Sequence, residues 1–107
     1  IHENIKSDFT PGVGKEIETI KKEDIKRLKF PKKEVLSDKD KKARRTIKLI
    51  NATRLGNIEH YKVKIIFEDD NGLKMVHTTI WATTEKNISL KAGITIPINR
   101  IREINIL

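Results

Sequence analysis

Near Gly56 the spacing of apolar residues changes from a helical rhythm to every other residue. That change confines the chain to a helix followed by short strands. In HYKVKIIFED, Tyr61, Val63, Ile65 and Phe67 share one face, with Lys62, Lys64 and Glu68 opposite. Asp70, Asn71 and Gly72 then signal a hairpin, because Asn-Gly tolerates the positive φ of a type I′ turn. The next run, LKMVHTTIWAT, sets Val76, Thr78, Ile80 and Ala82 on one face and Met75, His77, Thr79 and Trp81 on the other. Residues 84–87 read as a turn. NISLK is a short third strand that turns at Ala92-Gly93, and ITIPI is a fourth. Residues 99–102 suit one 3₁₀ turn, and EINIL is the last strand. Pro97 cannot donate to a ladder, so it belongs on an edge or beside a break. Five short strands with tight connections predict a strongly curled antiparallel small β-barrel over residues 58–107.

Ahead of the switch, Ser37 and Asp38 are good N-cap residues, and Asp40 adds negative charge to a first turn. A helix is expected over 38–55, with Gly56 as the residue that ends it. Ala43, Ile47 and Ile50 form its expected buried stripe, widened by Leu49, Ala52 and Leu55. Thr46, Ile47 and Thr53 are β-branched, which leaves a strand open in part of this stretch. Residues 15–30 carry both rhythms, and a short helix over 22–28 is the clearest part, stopped by Phe30-Pro31. Residues 1–14 read as an extended arm punctuated by Pro11, Gly12 and Gly14. The expected division is an N-terminal arm and short helix (1–37) and a helix plus barrel (38–107). The fold class is therefore α+β, mostly β.

Charge bounds the function. The chain has 107 residues with 23 basic and 15 acidic side chains, a formal charge of +8. Such a balance favours polyanions through electrostatics alone, and it equally keeps a protein soluble. No cysteine is present, which excludes disulfides and thiol catalysis and fits a cytoplasmic location. No apolar run approaches the ~20 residues of a membrane span, so no membrane partner is expected. A start at Ile1 instead of Met reads as a trimmed chain.

A helix followed by five strands, with a one-turn helix between the last two, resembles the Sm-like group of SH3-type small barrels. RNA-binding Sm and Hfq proteins and Rof-type inhibitors of the termination factor Rho share that layout. The resemblance implies RNA binding. The segment TTIWATTEKNISLKAGITIPINRIREI, preceded by ATRLGN, also looks like the C-terminal half of a group of short bacterial proteins, chiefly from Bacteroidota. That group has no established function to carry over.

The strongest candidate site is the basic set Lys41, Lys42, Arg44, Arg45 and Lys48, joined in a barrel by Arg54, Arg100 and Arg102. It would hold phosphates of RNA or DNA by counterion release; a merely solvated helix face is the competing reading. Trp81 is expected to pack, with Ile66, beneath the helix; the other reading makes it a stacking platform for a base. His60 and His77 are a weak metal signal and are expected at the polar surface. No metal, cofactor or convergent catalytic set is visible, so a non-enzymatic module is expected. The alternative function is protein interaction or homo-oligomerisation through unpaired edge strands.

Overall fold

The computed structural model describes residues 16–106, so the N-terminal arm of residues 1–14 lies outside the described residues, as does Leu107. Strand β1 (Glu18–Thr19) is followed by a 3₁₀ turn at Lys22–Arg27 and helix α1 (Lys39–Glu59). Six strands follow: β2 (Val63–Glu68), β3 (Leu73–Thr78), β4 (Ala82–Thr83), β5 (Asn87–Ser89), β6 (Thr95–Pro97) and β7 (Ile101–Asn105). One-turn 3₁₀ segments occupy Lys91–Gly93 and Ile98–Arg100.

The strands form two sheets, ordered β1-β3-β2-β7 and β4-β5-β6. The fold is mixed α+β, but no five-stranded closed barrel forms. The physical reason is the run from Leu73 to Thr83, which was expected to be one strand. It breaks at residues 79–81, leaving β3 in one sheet and β4 in the other. Nor is pairing wholly antiparallel: β1 joins β3 in parallel, Glu18 opposite Lys74. Pro97 lies at the end of β6, an edge strand, where its missing N–H costs no ladder bond.

The expected alternation is observed through Ile80 but not at Ala82, which is exposed. Val63, Ile65, Phe67, Val76, Ile80, Ile88, Ile96, Ile101 and Ile104 join one buried cluster, with Leu49 and Ala52 from α1 and Ile25 from the 3₁₀ turn. Residues from the segment before α1 reach this core as well. Ile25 lies in the same core, Asp70 N–H donates to Lys29 O at 2.9 Å, and Val35 N–H donates to Asn99 O at 2.9 Å.

Two turns exchange their expected chemistry. The β2–β3 loop takes no positive φ at Asn71. Instead the buried Asp69 carboxylate accepts the N–H groups of Asn71 (2.9 Å) and Gly72 (3.0 Å) and meets Lys74 Nζ at 3.2 Å. A side-chain acceptor inside the loop makes the type I′ geometry unnecessary. Successive positive φ values occur at Ala92 (68°) and Gly93 (74°), where Leu90 N–H closes the turn onto Ile94 O.

Helix α1 departs most from expectation. Asp38 caps it, accepting from Asp40 N–H at 2.8 Å, but it runs through Gly56 to Glu59. Gly56 is a packing residue: a Cβ there would sit 2.2 Å from Ile80 O. The helix ends at His60, which takes the left-handed φ of 55° and donates its N–H to Gly56 O. The buried face is Arg45, Leu49, Ala52 and Gly56, set against β7 and β4. Of the stripe expected to be buried, Leu49 and Ala52 are covered, but Ala43, Ile47 and Ile50 face solvent, with Ile47 at 58% and Ile50 at 53% exposure. Small Ala52 and Gly56 let the helix approach the bend at residues 79–81, which large isoleucines would prevent. Among the described residues, no helix is long and apolar enough to cross a membrane.

Candidate nucleic-acid interface

The expected basic set divides by what each side chain meets. Arg45 is buried and grips Glu34 with both terminal nitrogens, Nη1 at 2.8 Å and Nη2 at 2.7 Å, while Nη1 also donates to Ile101 O at 2.9 Å. Burial raises the pKa of Glu34, but the hydrogen bonds from Arg45 and Leu36 N–H and the charges of Arg45 and Lys42 outweigh it. The carboxyl is held below its ordinary value. Arg100 is also buried. It donates from Nε to Glu68 O (2.9 Å), from Nη1 to Lys33 O (2.7 Å) and from Nη2 to Asp69 O (3.4 Å). Both guanidiniums are fasteners between segments, so neither presents donors to a ligand.

Lys41, Arg44 and Lys48 line one depression together with Arg45, Arg102, Glu103 and Leu36. The helix and the last strand thus line one depression together. Its cavity is only about 30 Å³, and Arg102 lies 3.5 Å from Glu68 Oε1. Lys42 and Arg54 are exposed on α1, outside that depression.

A second basic surface lies at the other end of the helix. Trp81 does not pack beneath α1. It follows buried Ile80 at the bend between the sheets, so alternation turns its ring outward, 36% exposed. Its partner is His60, ring centroids 5.2 Å apart and planes tilted by 49°. Thr79 Oγ1 donates to His60 O at 3.1 Å and fixes the left-handed helix end against the bend. Lys22, Lys62, Lys91, Thr78 and Thr79 complete an open cavity of about 410 Å³ around this pair. A neighbouring cavity of about 280 Å³ shares Lys22, Lys62 and Thr78 and adds Lys21, His77 and Glu23. The two form one groove with four lysines and a single carboxylate among the lining residues; that carboxylate, Glu23, lies 4.0 Å from Lys22 Nζ.

Chemically, this groove combines mobile ammonium groups for phosphate oxygens with an apolar ring face for a base. The sequence carried part of the signal. Lys62, just before β2, and Lys64 within it alternate with Val63 and Ile65, His77 and Trp81 share one face of the next run by spacing, and Lys64 sits opposite His77 in the register. Lys22 and Lys91 come from distant segments and had no such signal. Among the described residues no three His, Asp or Glu side chains gather to hold an ion. No family model matches the chain, and neither the curated proteins nor the solved structures include a match.

Proposed function

We propose that this chain is a non-enzymatic module that binds single-stranded RNA or DNA. The observation that carries the reading is the outward Trp81 ring seated among Lys22, Lys62 and Lys91. One base stacks on Trp81, and the flanking phosphates meet the lysines. The order of elements supports the same reading, since a helix, short strands and a one-turn helix before the last strand are shared with the RNA-binding Sm-like group. The likeness is one of element order without barrel closure. A cytoplasmic location goes with this function.

The test uses the protein's own fluorophore, because Trp81 is the only tryptophan. Short oligonucleotides titrated into the chain are expected to quench its emission. Three phosphate contacts give a log–log salt slope of about −2. Read by the anisotropy of a labelled oligonucleotide, Trp81→Ala removes a stacking contribution of about 1–3 kcal/mol per base, weakening binding by roughly 5- to 150-fold. Binding that is flat across a salt series, or absent at low salt, sinks the proposal.

A further inference from the structure

A row of apolar side chains runs along the solvent side of α1, opposite the face that meets the sheets. Ile47 and Ile50 are more than half exposed, and Ile58 is 71% exposed. Ala43 lies on the same side, one turn before Ile47. The sheet edges offer a partner less: β4 has two residues, β6 has three and ends in Pro97, and β7 already gives Ile101 O to Arg45.

Charge placement along the stripe identifies the occupant. Asp40 stands two turns before Ile47, and Arg54 stands two turns after it; both are exposed on the Ile47 side. The segment of the stripe from Asp40 to Arg54, with an acid at one end, a base at the other and Ile47 midway, is complementary to its own reversed copy; Ile58 lies one turn beyond it. We infer that α1 pairs antiparallel with α1 of a second copy of this chain. The two-fold axis passes at Ile47, so Ile47 meets Ile47, and Asp40 of each helix faces Arg54 of the other. A parallel pair would set Arg54 against Arg54 and is disfavoured. The interface is isologous, as closed dimers require. A single helix pair is at the small end of specific interfaces, which places association in the micromolar range.

Sedimentation equilibrium of the chain at about 0.15 M salt, where surface repulsion is largely screened, tests this directly. A monomer–dimer equilibrium is expected. Ile47→Lys raises the dissociation constant at least tenfold (about 1.4 kcal/mol) while leaving thermal stability unchanged, because this side chain touches no core residue. Arg54→Asp alone weakens the dimer, and Asp40→Lys with Arg54→Asp restores it. A monomer at every concentration overturns the inference, whether the stripe is covered from within the chain or stays in water. So does a dimer indifferent to Ile47→Lys, or a charge exchange that fails to restore pairing. None of these outcomes depends on nucleic-acid binding at Trp81.

Discussion

Arg100 and Lys62 carry the same charge in two different settings. Arg100 is buried, with three backbone carbonyls as acceptors. Lys62 lies on the surface of an open groove. One cation is consumed in holding segments 33, 68–69 and 100 together; the other is available to solutes. A count of basic residues cannot separate them. Geometry does, because a planar guanidinium suits several fixed acceptors at once, while an ammonium on a flexible stem suits a mobile phosphate.

Mutation should widen this contrast. The largest effect is expected for Arg100→Ala, which strips donors from buried carbonyls and leaves the Glu68 carboxylate, 3.7 Å from Arg100 Nη2, with Arg102 alone. The loss is about 3–5 kcal/mol in denaturant unfolding. A loss below 1 kcal/mol would place Arg100 with the surface cations. Next comes Glu34→Gln, which replaces the carboxylate gripped by Arg45 and costs about 1–3 kcal/mol at neutral pH.

The same pair has a pH signature. Glu34 has a folded-state pKa below its ordinary value of 4.5. Its contribution is therefore fully present above the unfolded value and is lost as pH falls through the folded one. The wild type should lose stability over that acid window more steeply than Glu34→Gln, and parallel pH profiles would refute the assignment. The smallest effect on stability is expected from Lys22→Gln, Lys62→Gln and Lys91→Gln together. Unfolding should change by no more than about 0.5 kcal/mol per site. The salt slope of oligonucleotide binding should nevertheless shrink by about 0.7 per lysine. Destabilisation without a change in slope would make these lysines structural.

How much of this was legible depends on the range over which each signal acts. Val63, Ile65, Phe67, Val76, Ile80, Ile94 and Ile96 were readable because alternation is a local property, and they are buried as expected. The short turn at Lys22–Arg27 was readable for a similar reason. Helix α1 was readable as a helix, but not by face. The expected stripe held Ala43, Ile47 and Ile50 with Leu49, Ala52 and Leu55, and only Leu49 and Ala52 of it are fully covered. Close packing turns the helix toward Arg45 and Gly56 instead, since a glycine beneath Ile80 O permits an approach that a larger residue would block. Two members of the basic candidate set are buried for a reason of the same kind. Arg45 and Arg100 look like surface charge until Glu34 and the carbonyls of Ile101, Glu68 and Lys33 arrive from elsewhere in the chain.

On its own, the sequence determined that a helix precedes short strands with inward isoleucines, that the surface is basic, and that thiol chemistry is excluded. Tertiary structure alone decided that the strands divide into two sheets, which face of α1 is covered, and which cations reach solvent. Local patterns set backbone rhythm through neighbouring residues. Burial of a charge or a helix face depends on partners dozens of residues away, which only the folded chain brings into contact.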